Sequence, residues 1–68
     1  MSLNIHLNGE ATRLDHVQTV QDLIVHLGYQ DKRIAIERNG DIVPRSQHST
    51  TQLSNNDHLE IVIAVGGG

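Results

Sequence analysis

The chain has 68 residues and a net charge of −3 with its histidines neutral, and it lacks cysteine, phenylalanine and tryptophan. A chain of this length forms one small domain that buries only about 60% of the surface of its unfolded form. The lack of cysteine excludes disulfides and thiolate metal sites, and the five scattered lysine and arginine residues argue against binding to nucleic acid. With no signal-like N-terminus and no apolar run long enough to span a membrane, a cytoplasmic protein is expected.

The first element predicted along the chain is a β-hairpin. Residues 3–7 alternate between apolar and polar side chains, which is the period of a half-buried strand. Asn8-Gly9 follows at once, and both residues tolerate the positive φ that a tight hairpin turn demands. Residues 10–14 are then predicted to form the returning strand.

A helix of about nine residues is predicted after Thr19. Thr19 can cap the first free N–H groups, and Asp22 three residues later completes the capping pattern. Four apolar residues at i, i+3, i+4 and i+7 form one buried stripe: Val20, Leu23, Ile24 and Leu27. Gly28 stands where a left-handed residue commonly ends a helix.

A second hairpin and a polar crossover follow the helix. Residues 33–38 alternate again, and Asn39-Gly40 supplies the next turn signal. Pro44 cannot donate a hydrogen bond, so the strand that precedes it lies at an edge or ends there. Residues 46–54 are polar and predict an irregular surface crossover.

The last predicted strand, residues 58–65, is apolar at most positions of both faces, which is typical of a central strand. Two hairpins joined by a helix and followed by one strand predict an α+β fold with a mixed, four- to five-stranded sheet. The helix covers one face, and the first and last strands lie side by side in the centre. This is the β-grasp arrangement, with a domain at residues 1–65 and a flexible glycine tail at residues 66–68.

Neither a local catalytic motif nor a metal motif is found. No two histidines have the i, i+4 spacing of a zinc site, and all five are interpreted as scattered surface residues: His6, His16, His26, His48 and His58. Six acidic residues are interpreted as solvated faces, caps and turns: Asp15, Asp22, Glu37, Asp41, Asp57 and Glu60. The isolated chain is therefore not expected to be an enzyme.

The segment from Ala64 to Gly68 is the remaining candidate for chemistry. It is either an inert, frayed terminus or a functional tail. A terminal carboxylate has a pKa of about 3.3–3.7, so it is ionised and a poor electrophile until it is activated, for example by adenylation. Glycine suits a tail that threads into another protein's channel, because it has no Cβ to clash with the channel walls.

Four stretches together resemble the ThiS-type sulfur carrier proteins of thiamin biosynthesis, a ubiquitin-like family. These stretches are Ile5 to Gly9, Thr19-Val20-x-x-Leu23-Ile24, Ala35-Ile36-x-x-Asn39-x-x-Ile42-Val43-Pro44-Arg45, and Asp57-x-Leu59-Glu60-Ile61-Val62-x-Ala64-Val65-Gly66-Gly67-Gly68. The resemblance covers nearly the whole chain. One departure is Asn56, where the family usually has glycine, and asparagine accepts a similar turn conformation.

The resemblance implies that the chain carries sulfur and is acted on by other enzymes. A ubiquitin-activating-type enzyme would use ATP and magnesium to adenylate the carboxylate of Gly68, with Gly66 and Gly67 threaded into its channel. A persulfide sulfur donor would then displace AMP, leading to a thiocarboxylate from which thiazole synthase takes the sulfur. In this scheme the chain itself binds neither a cofactor nor a metal.

The sheet face away from the helix is expected to dock these partners. An apolar patch that includes His6, Ala35, Val62 and Ala64 is expected there, and we expect Val62 and Ala64, with Ala35, to make the contacts. Arg45 is equally well interpreted as a partner contact or as an exposed strand-end charge.

Three other functions remain open at this stage. The first is the related sulfur carrier of molybdopterin synthesis, which often has a proline-containing segment before its glycines, whereas residues 62–65 contain none. A modifier conjugated to other proteins is less favoured. A non-covalent β-grasp binding module with an inert tail is the third, because the fold alone does not determine function.

Overall fold

A computed structural model describes residues 2–64 of the chain. It shows a mixed β-sheet with one α-helix packed across one face. The elements in chain order are β1 (Ser2–Leu7), β2 (Glu10–Asp15), α1 (Val20–His26), β3 (Ile34–Arg38), β4 (Asp41–Ile42), a 3-10 turn (Arg45–Gln47) and β5 (His58–Ile63). The sheet has five strands in the order β2-β1-β5-β3-β4, and β1 and β5 are parallel while the other neighbours are antiparallel. The β-grasp prediction is confirmed.

Two of the predictions concern residues at the end of the chain. The predicted domain boundary at residue 65 and the glycine tail at residues 66–68 lie outside the described residues. Within residues 2–64, no helix is both long and apolar enough to span a bilayer.

The helix begins where the sequence predicts and ends earlier. The N–H of Asp22 donates to Thr19 Oγ1 at 3.1 Å, and Thr19 N–H donates to Asp22 Oδ2 at 3.1 Å. Backbone hydrogen bonds from Gln18 and Thr19 hold the pKa of Asp22 below its ordinary value. The helix has seven residues rather than about nine, since it ends at His26 with Leu27 as its C-cap residue. Gly28 follows with a φ of +75°, which confirms the predicted left-handed residue.

The core lies between α1 and one face of the sheet, and its buried hydrophobic residues are all aliphatic. Its members come from the alternating strand positions, the helical stripe and the crossover: Ile5, Leu14, Val17, Val20, Leu23, Ile24, Ile36, Val43, Leu53, Leu59 and Ile61. Full burial of such a side chain contributes about 1.5–3 kcal/mol.

The last strand is central, as predicted, but only one of its faces is buried. Leu59 and Ile61 point into the core, whereas Val62 is 64% exposed on the other face. The strand ends at Ile63 rather than at residue 65, which lies outside the described residues. Hydrogen bonding to β1 and β3, rather than burial of both faces, defines its central position.

The two Asn-Gly turns also hold this last strand through their asparagine side chains. Asn8 and Asn39 have φ values of +50° and +52°, as the predicted turns require. Asn8 Oδ1 accepts from Ile61 N–H at 2.9 Å, and Asn8 Nδ2 donates to Ile61 O at 3.3 Å. On the other side of β5, Asn39 Oδ1 accepts from His58 N–H at 2.9 Å. The carboxamides therefore reinforce the pairing of β5 from both sides.

Asp57 is buried, so its interpretation as a solvated turn residue is wrong. The residue is 5% exposed, and its carboxylate accepts from Arg38 Nε at 2.7 Å, Ser54 N–H at 2.8 Å and Asn39 Nδ2 at 3.1 Å. Burial alone would raise the pKa of Asp57, but these hydrogen bonds and the charge of Arg38 together outweigh burial and lower it. The charge of this carboxylate is therefore part of what holds the start of β5.

His48 is also buried, which corrects its interpretation as a surface histidine. It is 7% exposed, and its Nε2 lies 3.2 Å from Val43 O, so Nε2 carries a proton and donates it. The crossover that contains it packs against the start of α1, where Gln21 N–H donates to His48 O at 2.8 Å and Val20 N–H donates to Thr51 O at 3.0 Å. The crossover thus satisfies helix N–H groups that have no partner inside the helix.

We expect Asp57→Asn to lower the free energy of unfolding by about 2 kcal/mol at pH 7, because it weakens hydrogen bonds to a charged group and leaves Arg38 without its counter-charge. Urea unfolding measures this change. Asp15→Asn is the matched control, since Asp15 faces Arg13 at 3.8 Å with both side chains more than half exposed and should contribute little.

The same variant should show a pH signature. A carboxylate whose pKa is lowered by folding stabilises the fold above the unfolded value of about 3.9, and this contribution is lost as the pH falls through the folded value. The stability difference between the wild type and Asp57→Asn should therefore shrink below about pH 4. A difference that stays constant with pH would contradict the role assigned to the charge.

We expect Asn8→Gly to destabilise the fold by about 1–2 kcal/mol, because glycine keeps the positive φ but loses the hydrogen bonds to Ile61. Hydrogen exchange at the Ile61 amide should also become faster. Asn56→Gly is the control: Asn56 has a φ of +70°, and its N–H donates to Asn4 O at 2.7 Å, a bond that glycine retains. Equal effects of the two variants would show that the Asn8 side chain is not needed.

Candidate functional site

The sheet face opposite α1, which we call the open face, carries the predicted docking residues. Ala35 on β3 and Val62 on β5 are directly paired, so their side chains stand next to each other, and both are exposed. Ala64 follows β5 and is also exposed, and its N–H donates to Arg33 O at 2.8 Å. The structure thus brings Ala35, Val62 and Ala64 together along the strand that leads to the glycines.

Three further residues lie on the open face and were not part of the expected docking patch. Glu37 pairs with Glu60 on β5 and with Ile42 on β4, so all three side chains share the face of Val62. Ile42 is 64% exposed. The open face is therefore apolar at Ala35, Val62 and Ile42, with two carboxylates beside these residues. The predicted two-residue turn at Asn39-Gly40 fixes the register in which Glu37 pairs with Ile42, so this turn was the sequence signal that could have placed Ile42 here.

His6 and His58 also lie on the open face and are in contact, which corrects their interpretation as scattered residues. They are register partners on the parallel strands β1 and β5, and their rings stack with centroids 4.5 Å apart and planes 11° from parallel. In parallel stacked rings the nitrogen lone pairs do not converge on one point, so this arrangement does not chelate a metal ion. Within residues 2–64, no group of three or more potential ligands is placed to hold a metal.

Arg45 lies away from the open face. Pro44, with φ −61° and ψ 150°, leads the chain from the sheet edge into the 3-10 turn that Arg45 begins. Arg45 then lines a groove together with Gln21 and Ile24 of α1, on the helix side of the sheet. The structure therefore separates Arg45 from Ala35, Val62 and Ala64.

The predicted reactive residues are not part of this geometry. Gly66, Gly67 and Gly68 lie outside the described residues, so their roles stay predictions. The described residues show the open face and the course of the chain toward the glycines. β5 lies in the centre of the sheet, and the Ala64 N–H donates to Arg33 O just after the strand ends.

Comparison with known proteins identifies relatives over almost the whole chain. A family model described as the ThiS family matches residues 5–68. The sulfur carrier protein ThiS of Bacillus subtilis is 32% identical over 65 residues, which cover 94% of this chain and 98% of that protein. The crystal structure of a thiamine biosynthesis protein (ThiS) from Geobacter metallireducens superposes with a TM-score of 0.81 at 26% identity and covers 97% of this chain and 100% of that one.

A second kind of relative is much longer than this chain. A thiazole synthase of Paramagnetospirillum magneticum is 36% identical over 66 residues, and one of Magnetococcus marinus is 35% identical over 66 residues. These segments cover 97% of this chain but 20% of each relative, so the chain spans about a fifth of the length of the synthases that it matches.

Proposed function

Because this chain belongs to the ThiS family, we propose that it carries sulfur for thiamin biosynthesis on the carboxylate of Gly68. The observation that carries the proposal is the family match, which continues through the glycine segment to residue 68. The central position of β5 supports it, because the tail then starts from a strand that is hydrogen-bonded on both sides. The relatives bear the names of thiamin proteins, which favours this pathway over molybdopterin synthesis.

The proposed chemistry takes place at the carbonyl carbon of Gly68. On an adenylating enzyme the carboxylate attacks the α-phosphorus of ATP, whose charge magnesium neutralises, and pyrophosphate leaves. A persulfide sulfur then attacks the carbonyl carbon of the acyl-adenylate and AMP leaves. A thiol supplies two electrons to cleave the resulting acyl disulfide, which yields the thiocarboxylate. The chain is the co-substrate in each step and not the catalyst.

The open face docks the enzymes in this proposal. Apolar side chains at Ala35, Val62 and Ile42 offer a surface that is buried against a partner, and Ala64 extends it toward the tail. Glu37 and Glu60 are directly opposed like charges, which destabilise neighbouring strands. A partner with a lysine or arginine beside an apolar surface would relieve that repulsion and gain specificity.

Thiazole synthase is the partner with the most support. In two bacterial proteins named thiazole synthase, a segment similar to this chain forms about a fifth of the same polypeptide. Covalent linkage of two proteins in other organisms raises their effective concentration for each other, as expected for partners that meet repeatedly. The persulfide donor and the adenylating enzyme are supported by the family chemistry.

We expect the chain, mixed with its adenylating enzyme, ATP, magnesium and a persulfide donor, to gain the mass that corresponds to replacement of one oxygen by sulfur. Intact mass spectrometry measures this change, and fragmentation assigns it to Gly68. A chain lacking Gly68 should stay unmodified. If this shortened chain reacts equally well, the reactive group lies elsewhere; if neither chain reacts, a binding module with an inert tail becomes the better explanation.

We expect Val62→Asp to weaken binding to thiazole synthase by about tenfold, because it places a charge in an apolar interface. Isothermal titration calorimetry measures the affinity. Val25→Asp is the matched control, since Val25 is 51% exposed but lies on α1, across the sheet from the open face. Equal weakening by both variants would contradict docking on the open face.

A further inference from the structure

A groove on the helix side of the sheet, which we call the cationic groove, is not used by the proposed carrier function. It has a volume of about 490 Å³ and lies between α1, the start of β3 and the 3-10 turn. The lining residues with side chains that could contact a polar ligand include Gln21, Tyr29, Gln30, Lys32, Arg33 and Arg45. The open face lies on the other side of the sheet, so the two surfaces can be occupied at the same time.

The cationic groove concentrates positive charge in an acidic protein. The chain has eight acidic residues and only five lysines and arginines, yet three of those five, Lys32, Arg33 and Arg45, line this groove. No aspartate or glutamate is among the described residues that line it. The other two cationic residues face carboxylates: Arg13 is 3.8 Å from Asp15, and Arg38 is 2.7 Å from Asp57. Among residues 2–64, the ion pairs of lysine or arginine with a carboxylate involve Arg13 and Arg38 and none of the three groove residues, so an anion in the groove would meet positive charge that no described ion pair neutralises.

Hydrogen bonds fix the backbone at each of the three cations. Lys32 N–H donates to Tyr29 O at 3.0 Å, and Arg33 O accepts from Ala64 N–H at 2.8 Å. Arg45 O accepts from the N–H of His48 at 3.2 Å, and the His48 ring is anchored in turn to Val43 O. The three charged side chains thus extend from backbone positions that hydrogen bonds hold, and a ligand would restrict the rotamers of the exposed side chains themselves.

The chemistry of the walls defines the class of ligand. Arginine presents a planar set of N–H donors that matches the oxygens of a phosphate, and lysine adds a compact charge. Gln21, Gln30 and Tyr29 add neutral side chains that can donate hydrogen bonds. A volume of about 490 Å³ lies within the range of small-molecule sites, which is about 300–1,000 Å³.

We propose that the cationic groove binds a phosphate-bearing small molecule, with its phosphate held by Lys32, Arg33 and Arg45. The small-molecule class follows from the size of the groove and its location between secondary-structure elements. An extended acidic peptide would need a longer path of positive charge than these three residues supply. The proposal does not depend on the chemistry at Gly68.

The test is a titration of the isotope-labelled chain, followed by two-dimensional NMR at constant ionic strength. Inorganic phosphate and ribose 5-phosphate are the probes, and ribose is the neutral control. We expect saturable shifts for backbone amides of residues 29–34 and 45–48 with both phosphates and none with ribose. Arg45→Gln and Lys32→Gln should each weaken binding about tenfold, as loss of one hydrogen bond to a charged group implies.

Arg13→Gln is the matched control and should leave the affinity unchanged, because Arg13 lies on the edge strand β2, outside the groove. The dispersion of the NMR spectrum shows whether each variant is folded. Three results would overturn the proposal: no saturable shift with either phosphate, equal weakening in the Arg13→Gln chain, or saturable binding of a short glutamate peptide without binding of ribose 5-phosphate.

Discussion

The rest of the structure depends on the position of β5, which has hydrogen-bonded neighbours on both sides. It is parallel to β1 and antiparallel to β3, and both neighbouring turns add asparagine side chains to its backbone. This pairing places Leu59 beside the aliphatic residues of β1 and β3, so that α1 has a continuous apolar face to cover. It also places Val62 on the uncovered side. One strand therefore defines both the core and the proposed docking surface.

Each face of the sheet has a distinct chemical character as a result. The helix side is closed by aliphatic packing, and at its margin the 3-10 turn and the start of β3 bring three cationic residues together. The open face combines exposed apolar residues with Glu37 and Glu60. The open face carries negative charge and the cationic groove carries positive charge. A partner that binds the open face and a small anion that binds the groove therefore need opposite charges, so neither fits the other's site well.

The sequence patterns correctly predicted the features that interactions between residues close in sequence determine. The two-residue alternation located the strands, Asn-Gly located the turns, and Thr19 and Asp22 located the start of the helix. The predicted arrangement of the open face around Ala35 and Val62 also followed from this alternation. The predicted helix was about two residues too long: Gly28 has the predicted left-handed conformation, but the last helical residue is His26, and the apolar stripe, which continues to Leu27, does not show where the helical hydrogen bonding ends.

What the sequence did not reveal depends on contacts between distant segments. Asp57 and His48 have polar side chains of a kind usually found at the surface, and only the folded chain brings Arg38 and Val43 to them. Asn8 and Asn39 predicted the turns, but nothing in the sequence predicted that their side chains bond to β5. The His6–His58 contact depends on the register of two strands at opposite ends of the chain. The roles of Gly66, Gly67 and Gly68 are still predictions that rest on the family resemblance.

The central position of β5 also affects how the protein is made. Asn8 and Ile61 are hydrogen-bonded across 53 residues of sequence, so the middle of the sheet cannot form until β5 has been synthesised. A nascent chain that has not yet emerged from the ribosome through β5 leaves the inner edges of β1 and β3 unpaired and the core half assembled. Folding of this protein is consequently coupled to the synthesis of β5 rather than to the appearance of its first hairpin.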